Sequence, residues 1–288
     1  MMSTNRMNHS SLRPVVIAPT YNNVATLGDI LSRIAVLSLP VIVVNDGSTD
    51  ATANLLAHWD IQPRSAPFTV LTHPSNRGKA AALNTGFAAA IRAGFTHALT
   101  LDTDGQHDPE EIPLLLDAAR RAPAALIVGR RDESAAGYPA ASRIGRRVSN
   151  LLVRIESSLR VEDSQCGFRV YPLGLIQTIK CRVGHYGFET EIITRAGWAG
   201  CEIRQVPVTC RYLSPAHRVS HFRPWLDSFR ALFMHSFLLA RALCPFPAHP
   251  RWPGAARPAA IDKASSPAGT KALPPPPPAP ATAPPAHS

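Results

Sequence analysis

From Arg13 to Val208 the chain switches repeatedly between two hydrophobic periods, and this alternation restricts its fold more than any other feature. Pro14-Val-Val-Ile-Ala-Pro19, Val41-Ile-Val-Val44, Phe68-Thr-Val-Leu71, Ala98-Leu-Thr-Leu101, Ala125-Leu-Ile-Val128 and Ile203 to Val208 are apolar runs of strand length. Between them Leu27, Ile30, Leu31 and Ile34, then Thr52 to Trp59, then Ala80, Leu83, Phe87 and Ile91 follow helical spacing. Asp108-Pro-Glu-Glu111 opens a further helix: Asp caps well, Pro fits the first position, and two acids meet the positive end of the dipole. Strands alternating with helices predict an α/β domain with a mostly parallel central sheet flanked by helices. The polar clusters Thr20 to Asn23, Asn45 to Ser48, His73 to Lys79 and Asp102 to Asp108 all follow strands. They must gather at the carboxyl edge of the sheet, where open α/β sheets bind ligands.

The second half is looser. Arg143 to Arg160 reads as a basic helix, Ser164 to Pro172 as a Gly-containing turn with a short apolar piece, and Glu189 to Trp198 as a helix. Trp225 to Leu243 is apolar, interrupted by Asp227, Arg230, His235 and Arg241 on roughly one face. The ten residues between Arg230 and Arg241 are too few to cross a bilayer, so an amphipathic helix is expected. Of 28 Pro, 14 lie between Pro245 and Pro285, which assigns the excess to a tail. The expected organisation is a flexible segment over 1–12, one α/β domain over 13–224, an amphipathic helical segment over 225–246, and a Pro/Ala-rich disordered tail over 247–288.

The net charge of +10 suits nucleic acid, anionic headgroups or phosphorylated small molecules, without choosing among them. Nucleic acid is the weakest of these, because the Arg residues form no recognition module with aromatic platforms. Five Cys without CxxC spacing argue for reduced thiols over a disulfide framework or a zinc site. The polar start, Met1 to Arg13, lacks the apolar core of a signal peptide.

Asp102-Thr-Asp104-Gly-Gln106 carries the sharpest chemical signal. Two carboxylates at a strand end make a hard-oxygen site for Mg²⁺ or Mn²⁺, with Gln106 as a further oxygen, although an acidic surface turn has the same composition. Asp46 can accept from nucleobase N–H groups or serve its own Asp-Gly-Ser turn. Arg77-Gly-Lys79 is a basic helix entry suited to an anion. Asp163, Glu189 and Glu191 are candidate general bases for a hydroxyl acceptor, or solvated helix acids. Arg130, Arg131, Arg143, Arg146 and Arg147 either grip phosphates or form a solvated basic face. His217 and His221 read as surface histidines.

Together these clusters resemble family-2 glycosyltransferases, on the dolichyl/polyprenyl-phosphate mannose synthase-like branch. The resemblance rests on Pro19-Thr-Tyr-Asn22, Val44-Asn-Asp-Gly-Ser-Thr-Asp50, Asn76-Arg-Gly-Lys79, Asp102-Thr-Asp-Gly-Gln-His107, Asp163-Ser-Gln-Cys-Gly-Phe-Arg169 and Phe188-Glu-Thr-Glu191, in that order. It implies a glycosyltransferase-A fold. It places Pro19 and Tyr21 at the nucleotide, Asp46 at the base, and Asp102, Asp104 and Gln106 at the metal. Arg131 and Lys79 fall near the sugar diphosphate, and Arg143, with Arg147 four residues on, near an acceptor phosphate. Glu191 or Asp163 would be the base if the acceptor were a hydroxyl. The implied activity is inverting, metal-dependent hexosyl transfer from a nucleotide-diphosphate sugar to a lipid-linked acceptor, with polyprenyl phosphate ahead of a glycolipid or glycan hydroxyl. Sugar nucleotidyl transfer is disfavoured, since Thr20-Tyr-Asn-Asn23 stands where its Gly-rich basic loop would be. The expected location is cytoplasmic, peripheral to the inner membrane face.

Overall fold

The structure is a computed structural model, describing residues 12–61, 63–132, 140–179, 181, 187–211, 224–244 and 251–252. Residues 140–141 and 224–228 are described by backbone alone. The 1–11 segment, His217, His221 and the chain from 253 onward lie outside the described residues.

The predicted strands form as β1 (Pro14–Thr20), β2 (Val41–Asn45), β3 (Phe68–Thr72), β4 (His97–Thr100), β5 (Leu126–Arg131) and β7 (Ile203–Val208). The short apolar piece becomes β6 (Arg169–Pro172). The helices are α1 (Val24–Val36), α2 (Thr52–Asp60), α3 (Lys79–Arg92), α4 (Ile112–Arg121), α5 (Ala140–Ser157), α6 (Leu173–Thr178), α7 (Phe188–Trp198) and α8 (Pro224–Ala242). One seven-stranded sheet runs β3-β2-β1-β4-β6-β5-β7. All pairs are parallel except those of β6, which is antiparallel to both β4 and β5.

Successive strand residues point to opposite faces, so β1 feeds two cores. Val15 and Ile17 join Ala80, Leu83 and Phe87 of α3 and Phe188 and Ile192 of α7. Val16 and Ala18 join Leu27, Ile30 and Ile34 of α1 and Leu115 of α4. Asp108 caps as expected, accepting from the Glu110 N–H at 3.1 Å, but the first turn is a 3₁₀ helix over Pro109–Glu111 before α4.

Two elements differ from the sequence reading. His235, expected on the polar face of α8, is buried with Met234 and Leu238, and its Nδ1 lies 2.7 Å from Glu156 of α5. The exposed side of α8 instead carries Phe229, Leu232 and Phe233. Trp252 falls inside the stretch assigned to the tail. It is buried, its indole N–H donates to Ala124 O at 2.9 Å and its backbone N–H to Ala199 O at 2.9 Å. The indole supplies a large apolar surface and one donor, which is enough to dock on the core.

Candidate active site

The ends of β1, β2, β3 and β4 are adjacent, and β1 is where strand order reverses. The polar clusters meet there, as the sequence predicts. Asn22 takes positive φ, and its side-chain oxygen accepts from the Thr49 N–H at 2.8 Å. Asn23 donates to Thr103 Oγ1 at 2.9 Å, and Thr103 donates to Pro19 O at 3.1 Å. Pro19 is therefore a buried part of this frame, while Tyr21 stands half-buried at the rim.

Asp46 turns its carboxylate to the loop that leads into α3. It is buried, and its oxygens accept from the Arg77 N–H at 3.0 Å and the Gly78 N–H at 2.7 Å, with His73 Nδ1 at 2.6 Å. A carboxylate satisfied in this way fixes the entry to α3. Gly47 is needed beside it: φ is +69°, and a Cβ would lie 2.4 Å from the Ser75 carbonyl carbon.

Asp102 and Asp104 follow β4. Lys79, the first residue of α3, places its ammonium 2.7 Å and 2.9 Å from the two Asp102 oxygens and 2.6 Å from Glu189 Oε1 of α7. Burial works against the Asp102 charge, but Lys79 outweighs it and holds the carboxyl below its ordinary range. Asp104 is pushed up, first by burial and then by the negative charge of Asp102. This repulsion between neighbouring carboxylates is what a divalent cation relieves. Among the described residues no three or more His, Cys, Asp or Glu converge as a complete cage. Two carboxylates with positions left for phosphate oxygens are the donor set that Mg²⁺ or Mn²⁺ accepts, so the residues fit such an ion. Gln106 meets the pair through its backbone, its N–H donating to Asp104 Oδ1 at 3.0 Å, while its side-chain Oε1 lies 3.9 Å from Cys210 Sγ and its carbonyl accepts from the Arg211 N–H at 2.8 Å.

Asp163 is not poised as a base. It is fully buried and accepts a fork from Arg131, Nε at 2.7 Å and Nη2 at 2.9 Å, and a third bond from Arg146 at 3.0 Å. Burial opposes its charge, but the Arg131 bonds prevail and pull its pKa down. Glu191 is likewise fully buried, with Arg195 Nε 2.6 Å away on the same helix. A carboxylate held by two guanidinium groups, as Asp163 is, is a weak proton acceptor. Arg131 is held by Asp163, and its positive charge helps to lower the Asp102 pKa. Arg143 is half-buried and Arg147 exposed, one turn apart on α5.

The glycosyl transferase family 2 profile matches residues 15–177. The chain belongs to that family. This family 2 glycosyltransferase is 29% identical over 208 residues to an undecaprenyl-phosphate mannosyltransferase of Micrococcus luteus, covering 69% of this chain and 83% of the relative. It is also 29% identical over 205 residues to a polyprenol monophosphomannose synthase of Mycolicibacterium smegmatis, covering 68% and 77%. Among solved structures it is similar to glucosyl-3-phosphoglycerate synthase of Mycobacterium tuberculosis in complex with Mn²⁺ and UDP-glucose. The TM-score there is 0.61 at 19% identity, covering 82% of this chain and 81% of that one, a likeness of fold.

Two residues of this glycosyltransferase's site escape a reading by residue type. Gly167 lies so close to the carboxylate pair that a Cβ would stand 2.6 Å from Asp102 Oδ2 and 2.8 Å from Lys79 Nζ. The only sequence signal is its place in Asp163-Ser-Gln-Cys-Gly-Phe-Arg169. Arg169, beside it, is fully buried and donates to the carbonyls of Cys166, Ser164 and Glu189 at 2.6, 2.9 and 2.7 Å. It ties the start of α7 to β6.

Proposed function

We propose that this glycosyltransferase moves a hexose, with inversion, from a nucleotide-diphosphate sugar to a polyprenyl phosphate. The observation that carries the choice of acceptor is the state of Asp163 and Glu191. Both are fully buried and paired with Arg. A hydroxyl acceptor needs a base to take its proton, whereas a phosphate is already an anion. The names of the two bacterial relatives point the same way.

Asp102 and Asp104 would hold Mg²⁺ or Mn²⁺, which supplies Lewis-acid stabilisation of a departing nucleoside diphosphate. Lys79 and Arg131 add fixed positive charge beside it, prearranged by Glu189 and Asp163. Arg143 and Arg147, one turn apart on α5, would grip the acceptor phosphate. The phosphate oxygen attacks the anomeric carbon as the bond to the diphosphate breaks, and no proton changes hands.

The chain works at the cytoplasmic face of an anionic membrane. Among the described residues no helix is long and apolar enough to cross one. However, α5 exposes Ile144, Val148, Leu151 and Ile155 at helical spacing, each more than half accessible, with Arg147 and Arg154 beside them. Alongside, α8 exposes Phe229, Leu232 and Phe233. Apolar side chains flanked by Arg suit an interfacial helix.

The test is transfer of label from radiolabelled GDP-mannose and UDP-glucose to organic-extractable lipid, with Mg²⁺ or Mn²⁺ and added undecaprenyl phosphate. Lipid-linked label that disappears in Asp104→Ala is expected. Label transferred only to hydroxyl-bearing glycolipid would overturn the reading.

A further inference from the structure

Glu189 is the residue of α7 that reaches Lys79 beside Asp102. It is buried, and its Oε1 lies 2.6 Å from the Lys79 ammonium. That ammonium lies within ion-pair distance of both Asp102 oxygens and of Glu189 Oε1. Its surroundings leave little room for another arrangement. Gly167 walls it on one side, where a Cβ would stand 2.8 Å from Lys79 Nζ. Arg169 fixes the backbone of Glu189 through its carbonyl at 2.7 Å.

We infer that Glu189 is a positioning residue for the divalent-cation site, acting through Lys79. It shares the ammonium with Asp102 and so keeps Lys79 from closing on Asp102 alone. Two carboxylates, Asp102 and Glu189, share one ammonium, so the Asp102 oxygens are left less neutralised and open to a divalent cation. Removing the charge of Glu189 leaves Lys79 to compete for the oxygens the cation uses. The inference rests on the reading that Asp102 and Asp104 receive the cation.

The test uses the full chain and Mn²⁺ alone, with free Mn²⁺ followed by its paramagnetic resonance signal. Glu189→Gln keeps size and shape and is expected to weaken Mn²⁺ binding about tenfold, the usual cost of losing an outer-shell partner. Glu189→Asp, which keeps the charge, is expected to fall between Glu189→Gln and the wild type. Lys79→Met is expected to tighten Mn²⁺ binding, and in that background Glu189→Gln should add little loss, because its effect runs through the ammonium. A purely structural role predicts a lower melting temperature with unchanged Mn²⁺ affinity. Wild-type affinity in Glu189→Gln, or an equal loss in the Lys79→Met background, overturns the inference. If Glu189→Gln does not fold, Lys79→Met alone decides, and unchanged Mn²⁺ binding there overturns it. If the wild type binds Mn²⁺ no better than Asp104→Ala, the cation reading itself fails.

Discussion

Asp163 shows how burial decides what a carboxylate does. Its carboxylate meets two guanidinium groups with no solvent contact, so it sets the place of Arg131 rather than taking a proton. Breaking a buried pair by removing one charge typically costs about 3–5 kcal/mol, and Asp163→Asn is expected to lose stability on that scale in urea unfolding. The pH dependence follows in sign. The folded pKa of Asp163 is depressed, so its stabilisation is present above the unfolded value of about 3.9 and disappears as pH falls through the folded value. Stability measured from pH 6 down to pH 2 should therefore fall less steeply in Asp163→Asn than in the wild type, and parallel curves would contradict this account. Gly167 is the second residue-scale case. Gly167→Ala places a methyl against Asp102 and Lys79. Displacement of a site by about 1 Å can cost roughly a hundredfold in rate, and a loss of that order in transfer is expected. Its melting temperature should change little, because the displaced atoms are side-chain ends. An active Gly167→Ala enzyme would mean that the close approach has no bearing on the reaction.

The elements were legible where hydrophobic period and strand length agree. The reading of β1, β2, β3, β4 and β7 matches to within about one residue, because each is an apolar run bounded by turn chemistry. The antiparallel placement of β6 was not legible, since four residues after a turn carry no direction. That insertion brings Gly167 to Asp102, so the missed topology and the missed site residue share one cause. For the carboxylate pair, residue type was enough, whereas Asp46, Asp163 and Glu191 look the same in sequence whether they face substrate or partners within the fold. Trp252 escaped because Pro on both sides made its neighbourhood read as tail. Large-to-small changes at buried Trp cost about 3–5 kcal/mol, so Trp252→Ala should lower the melting temperature by several degrees. A chain ending at Cys244 should show the same loss, and one ending at Pro253 should not. Equal melting of all three would mean that Trp252 contributes nothing to the fold.

At the scale of the whole molecule, the lipid-facing reading requires that the apolar stripe of α5 and the catalytic edge serve one surface. Arg143 and Arg147 share α5 with Ile144, Val148, Leu151 and Ile155, so a helix lying on the bilayer would carry its arginines at headgroup level. Each Arg near an anionic surface adds about 1 kcal/mol, which salt screens, while the apolar contribution is not screened. Binding to phosphatidylglycerol vesicles should therefore weaken with added NaCl without vanishing, and should be much weaker on phosphatidylcholine. Leu151→Asp with Ile155→Asp is expected to abolish vesicle flotation while leaving transfer to a short, water-soluble polyprenyl phosphate intact, because neither side chain lies among the residues assigned to the site. Truncation at Arg223 removes α8 and should weaken flotation as well. If the double variant floats normally but converts a dimer to a monomer in sedimentation, the stripe covers a second copy of the chain, and the membrane reading falls.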